Sequence, residues 1–245
     1  MPPVEPRPAS PRKIDKGQLR AYAYRRLKDL FLTGRLGGEP LLSERELAKR
    51  LRMSNTPVRS AIERLESEGI VTISPQRGVA VRRFSHREIC EHFELRTLLE
   101  PHVCRKIAGT LTPDQQERLR ASVDVLDQSA AQGNLKRFLR IDTDFHLLLC
   151  GFHANLEVTR AVARLRDKIN LAIVQNFALG PARVAAGCKE HRDIAEAIIA
   201  GDGELAAQWM LAHLEHGKRT ILPGGLDDEV QLDFPAPRNN GHQAG

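Results

Sequence analysis

The feature that most constrains this chain is the stretch of residues 42–83, LSERELAKRLRMSNTPVRSAIERLESEGIVTISPQRGVAVRR. It compresses two short helical patterns, a tight turn and a strand-turn-strand pattern into one segment. Ser43 followed three residues later by Glu46 is a capping box, and it opens a helix over 44–51 whose apolar face is Leu47, Ala48 and Leu51. Arg52 and Met53 form the turn. Ser54 is a good N-cap for a second helix, with Pro57 in the first turn, where its missing amide hydrogen is not needed. That helix runs to Gly69, with Val58, Ile62 and Leu65 facing inward. The period then changes to that of strands: 70–73, a Ser74-Pro75-Gln76-Arg77-Gly78 turn, and 79–81.

This arrangement leaves Asn55, Thr56, Arg59 and Ser60 on the outer side of the second helix, where a recognition helix presents side chains to the major groove. Arg59 could fork onto a guanine edge or a phosphate. Asn55 and Thr56 are short enough to bond a phosphate or a base at close approach. A hairpin tipped by Gln76 and Arg77 is suited to reach a neighbouring phosphate or the minor groove. Charge supports the pattern. Up to Phe84 the chain has 18 Lys and Arg against 9 Asp and Glu, whereas the remainder has 19 against 22. The basic excess lies wholly with the winged segment, the footprint expected of a nucleic-acid-binding module attached to a non-binding one.

A chain of 245 residues has room for two domains. No apolar run approaches the roughly 18 residues of a membrane span. The N-terminus has no apolar core of signal-peptide length, so the expected location is the cytoplasm. Cys90, Cys104, Cys150 and Cys188 lie far apart and read as free, mostly buried thiols. Residues 1–14, rich in proline and arginine without periodicity, read as a disordered arm. Residues 15–84 form the winged domain, its first helix over 16–33 ended by Gly34 and Gly37-Gly38. From Ser85 onward only helical patterns occur, near 86–108, 113–132, 134–151, 155–178, 182–200 and 203–219, punctuated by Thr112-Pro113, Gly133-Asn134, Gly180-Pro181 and Gly201-Asp202-Gly203. Residues 85–221 are therefore expected to form an all-helical bundle, followed by a flexible tail, 222–245. The fold class is mainly α: a winged helix-turn-helix followed by an all-α bundle.

Within the bundle, some polar residues break the apolar stripes. On the helix at 134–151, Asp142 and His146 share the stripe of Leu135, Phe138, Leu139, Phe145 and Leu149. A buried carboxylate is costly unless paired or metal-bound, and the i, i+4 spacing sets both side chains on one face. His191 lies on the stripe of Ile194, Ala195 and Ile198, and His213 follows Ala206, Trp209 and Met210. One core histidine alone is more often a hydrogen-bonded packing residue than a ligand. Four such residues on three helices make a three-nitrogen, one-oxygen site for a divalent transition metal, Zn, Ni or Mn. The other histidines have no comparable placement. Arg96 stands on the stripe of Ile89, Phe93, Val103 and Ile107, and a guanidinium facing a core needs either an anionic ligand or an ion pair with a residue such as Asp142 or Asp144.

LSERELA, TPVRSAIERLESEGIV and QRGVAV resemble the winged helix-turn-helix of the GntR family of bacterial transcription regulators. The resemblance implies DNA contacts from Arg45, Ser54, Thr56, Arg59, Gln76, Arg77 and Gly78; Asn55 stands where most members have arginine, and Arg52 where glycine usually makes the turn. Residues 92–109, Asp142-Thr-Asp-Phe-His146, Glu190-His191 and Met210-x-x-His213-Leu214 resemble the FCD-type effector domain of the FadR branch. This implies that Asp142, His146, His191 and His213 bind a divalent metal, and that Arg96 helps to bind a small carboxylate effector. Ala154-Asn155 stands where Gly-Asn is usual.

The expectation is a homodimeric regulator, most simply a repressor and not an enzyme. It would bind an inverted-repeat operator in double-stranded DNA and respond to a small organic acid at the metal site. One alternative is a metal-dependent hydrolase fused to a DNA-binding domain, with Glu190 or Asp144 as base. The other is a DNA-binding dimer that takes no ligand.

Overall fold

A computed structural model of the chain describes residues 15–33, 41–74, 77–176 and 179–222. The expected arm, the glycines after the first helix, Pro75 and Gln76 of the wing turn, and nearly all of the tail lie outside them. The reader domain is α1 (Lys16–Leu32), α2 (Glu44–Leu51), α3 (Asn55–Ser67), β1 (Val71–Ser74) and β2 (Gly78–Val81). The Ser43 hydroxyl and the Glu46 carboxylate form the capping box that opens α2. Ser54 stands at the N-cap of α3 in extended conformation, but its side chain makes no capping bond. The hydroxyl is thereby left on the surface. Leu27, Phe31, Leu47, Ile62 and Leu65 close the small core between α1, α2 and α3.

The wing is antiparallel, with Val71 opposite Val81 and Ser74 opposite Gly78. Strand pairing starts one residue later than the apolar pattern indicates, because Ile70 turns inward and is buried at the end of α3. Leu42 adds a third, single-residue bridge to Val79. Gly78 has φ 121°, and a side chain there would come within 2.6 Å of the Leu42 carbonyl oxygen. Its glycine is therefore required by the backbone crossing.

The bundle is α4 (His86–Ile107), α5 (Pro113–Ala131), α6 (Leu135–His153), α7 (Leu156–Asn176), α8 (Pro181–Ala200) and α9 (Gly203–Ile221). Helix ends differ from the sequence reading by one or two residues, and α9 runs on so that Leu222, assigned to the tail, is buried as its C-cap. Helix α4 packs on α9, α6 and α7, while α8 packs on α9 and α5. Among the described residues the cysteines are free, with Cys104, Cys150 and Cys188 buried. No described helix is long and apolar enough to cross a membrane.

The two halves meet along α7. Lys28 of α1 pairs with Asp167 of α7 and lies 3.8 Å from Glu68, whose carboxylate accepts a 2.7 Å bond from the Tyr24 hydroxyl. The Gln175 amide donates to the Arg82 carbonyl at 3.0 Å. Gly69, which ends α3, lies against Lys168 and Arg82.

Candidate functional site

Arg45, Ser54, Asn55, Thr56, Arg59 and Arg77 are all exposed, and Pro57, Val58 and Ile62 hold the opposite face of α3 in the core. Arg59 donates to Glu63 at 3.1 Å, but both side chains are more than half exposed. Such a pair contributes little, so a phosphate or a base can replace Glu63 at small cost. Gly78 sits at the wing, fixed by the Leu42 contact; Gln76 lies outside the described residues.

Asp142, His146, His191 and His213 converge in the bundle. All four are buried, and one potential ligand atom from each lies within 4.8 Å of the others. The hydrogen bonds around them set the chemistry. His146 turns Nδ1 to the Glu100 carboxylate, His191 turns Nδ1 to the Gly187 carbonyl at 2.6 Å, and His213 turns Nδ1 to Glu190 at 2.7 Å. Each Nδ1 thus meets an acceptor, which puts the proton there and leaves an Nε2 lone pair on the other side of the ring. The Nε2 atoms of His146 and His191 stand 3.3 Å apart, and His191 Nε2 is 3.0 Å from Asp142 Oδ1. Lone pairs and a carboxylate aimed at one point repel one another unless a cation lies among them. This donor set fits a divalent transition metal, down to the acceptor behind each imidazole.

Electrostatics agree. Burial lowers His146 to about 4 even though Glu100 pulls the other way, and burial lowers His191 to about 4. Burial and the neighbouring His191 hold His213 well below the ordinary imidazole value. All three are neutral near pH 7, as ligands must be. Against the effect of burial, His213 and Arg183 bring Glu190 down to about 2, so it stays an anion able to orient His213.

Glu190, which the hydrolase alternative needs as a free base, is committed: it takes a two-point bond from Arg183 at 3.0 and 2.9 Å as well as His213 and His216. Asp144 faces outward. Arg96 is buried and donates to Glu100 at 2.5 Å, so its ion-pair partner is Glu100 and not Asp142 or Asp144. One nitrogen of its guanidinium, Nη2, is buried without a partner. Against burial, Arg96 and His146 hold the Glu100 carboxyl well below its ordinary value. The sequence reading missed both Glu100 and Arg166. Arg166 of α7 is buried, pairs with Asp142 and donates to the Thr143 hydroxyl at 3.2 Å. A cavity of about 60 Å³ opens beside these groups, lined by Arg96, Asp142, Arg166, His191 and His213, by the further polar residues Asn170, Arg183 and Thr220, and by apolar side chains including Phe93, Phe138 and Ile173.

A basic winged helix-turn-helix joined to a helical bundle with a closed polar site defines a DNA-binding transcription regulator. The model for bacterial regulatory proteins of the gntR family matches residues 19–81, and the FCD domain model matches residues 91–216. The chain belongs to the GntR family and carries an FCD domain. It is 27% identical over 185 residues to the HTH-type transcriptional repressor RspR of Escherichia coli strain K12, covering 75% of this chain and 80% of that protein. It is 28% identical over 204 residues to a probable D-xylose utilization operon transcriptional repressor of Paenarthrobacter nicotinovorans, covering 81% and 87%. The solved structure of E. coli McbR/YncC shares the fold, with a TM-score of 0.75 at 21% identity over 83% of this chain and 96% of that one. The first two relatives are named as transcriptional repressors, and the family to which the chain belongs is one of transcription regulators, not enzymes.

Proposed function

We propose that this regulator is a homodimeric repressor that binds an inverted-repeat operator, and that an organic acid in the helical domain modulates its grip on DNA. The observation that carries the ligand half is the set of three imidazoles, each with Nδ1 engaged, gathered with Asp142 so that one ligand atom from each lies within 4.8 Å of the others. Asp142, His146, His191 and His213 would hold the metal. Bound there, a divalent ion, Zn, Ni or Mn, supplies fixed positive charge for an anion. Arg96 supplies the second anchor: it lines the same cavity, its Nη2 has no partner, and a buried donor without a partner costs about 1–3 kcal/mol that a carboxylate oxygen would recover. Glu100 fixes both anchors, since one carboxylate oxygen orients Arg96 and the other His146. On the DNA side, Asn55, Thr56 and Arg59 would meet the major groove, while Arg45, Ser54 and the wing residues Gln76, Arg77 and Gly78 hold the backbone.

The test joins both halves. An operator is selected from random duplex DNA with the full chain, and metal content is measured by elemental analysis. Arg59→Ala should weaken operator binding by about 1–3 kcal/mol at fixed salt with metal content unchanged. His146→Ala combined with His213→Ala should remove the metal. Unchanged affinity in the first variant removes the recognition-helix assignment, and stoichiometric metal in the second removes the ligand set. Wild-type protein without metal, binding DNA regardless of sequence, would favour the ligand-free architectural alternative.

A further inference from the structure

A second chamber, of about 270 Å³, lies between the end of α5, the start of α6 and the start of α8. Phe138, Leu179 and Val184 line both this chamber and the cavity at the histidine cluster, so these three side chains form the wall between the two. The second chamber's walls are apolar apart from the turn at Gly133-Asn134 and one side chain, Ser129. Ser129 is fully buried, yet its hydroxyl has no hydrogen-bond partner. A helical serine normally returns its hydroxyl to a carbonyl one turn back, so an orphan is a group whose partner lies elsewhere. Among the described residues four buried side-chain atoms lack a partner, those of His92, Arg96, Ser129 and Gln175. Two of the four belong to residues that line these cavities, Arg96 the first and Ser129 the second.

We infer that the two chambers form one binding site for an organic carboxylate with an extended apolar body and a polar atom toward its far end. This inference rests on the carboxylate reading of the polar cavity. The carboxylate lies at Arg96 and the metal-binding cluster, the body passes Phe138, Leu179 and Val184, and the distal atom reaches Ser129. An acid of two or three carbons held at Arg96 would leave the larger apolar chamber and the serine unused. The volumes agree with this: where about 10–15 Å³ already holds one water, about 60 Å³ beside the polar groups suits a head group and about 270 Å³ between apolar walls suits several carbons.

The experiment is titration calorimetry on the full chain as purified, with acetate, butyrate, hexanoate, octanoate and the matching ω-hydroxy acids. Affinity should rise about fourfold per added methylene, the factor for burying one CH₂, until the second chamber is full. One ω-hydroxy acid should exceed its unsubstituted parent, and Ser129→Ala should abolish that excess alone. Ala130→Phe, on the wall of the second chamber only, should bring hexanoate toward the affinity of acetate without changing acetate. If acetate and hexanoate bind equally and both are lost in Arg96→Ala, the head-group reading stands and the two-chamber site is overturned. If no carboxylate binds, both fall. The series on the unsubstituted protein decides this even where a variant fails to fold.

Discussion

At the scale of single residues, two backbone positions are held in a conformation their side chains resist. Among the described residues Arg52 and Ala154 alone, apart from glycines, have positive φ, 53° and 58°. They are the two places where the chain lacks a glycine that its family usually has. Both close a helix: the Arg52 amide bonds back to Ala48 and Lys49, and the Ala154 amide to Cys150 and Gly151. A left-handed non-glycine residue costs about 1–2 kcal/mol, partly offset by the greater chain entropy that glycine loses on folding. Arg52→Gly and Ala154→Gly should therefore each stabilise the fold by about 0.5–1 kcal/mol, measured as a higher urea midpoint at unchanged slope. A lowered midpoint would mean that Arg52 or Ala154 makes side-chain contacts worth more than the strain. Single residues were also where sequence reasoning reached farthest into the site. Asp142, His146, His191 and His213 were legible because a polar residue on an apolar stripe has to be explained by a partner. Glu100 and Arg166 carried the same signal: Glu100 falls one turn after Arg96 on the stripe of α4, and Arg166 stands between Val162 and Ile169 on α7. What no stripe conveys is which ring nitrogen faces the site, since the acceptors behind His146 and His213 come from other helices.

At the scale of elements, α7 touches both functions with adjacent residues. Arg166 turns into the bundle and meets Asp142, while Asp167 meets Lys28 of α1. One residue on, Lys168 packs against Gly69, the residue that ends the recognition-helix segment. Any shift of α7 that follows a ligand at Asp142 thus acts on α1 and the end of α3 without an intermediate element. Such a link transmits only the difference in ligand affinity between two arrangements of the domains. Asp167→Asn, which keeps shape and removes the charge, should leave metal content and carboxylate affinity unchanged while reducing the effect of carboxylate on operator binding. The readout is operator affinity by fluorescence anisotropy with and without saturating ligand, and an undiminished ratio would rule out the Lys28–Asp167 link as the coupling. None of this seam was legible beforehand. Periodicity assigns a residue to the inside or the outside of its own helix, but the match between Lys28 and Asp167 depends on how two separate cores dock.

At the scale of the molecule, the bundle leaves an apolar face uncovered. Leu95 and Leu98 on α4 are 49% and 66% exposed, and Leu156 at the start of α7 is 67% exposed. On α4 they lie on the side opposite Arg96 and Glu100, both of which are buried. The helix therefore presents one face to the ligand site and another, partly apolar, to solvent. Isolated exposed leucines are ordinary, but two at i, i+3 on the central helix of a domain whose partner module reads DNA point to a second copy. An inverted repeat is two half-sites related by a two-fold axis, and a protein dimer built around α4 would supply that axis to both readers. Leu95→Glu combined with Leu98→Glu places charges on this face without touching Arg96, Glu100 or the histidine cluster. In light scattering the unsubstituted chain should run as a dimer and the variant as a monomer, and the variant should retain metal. Its affinity for an isolated half-site should be nearly unchanged, while the extra affinity for two correctly spaced half-sites, which depends on linkage between readers, should vanish. A variant that remains dimeric and still prefers the full repeat would move the two-fold axis away from α4.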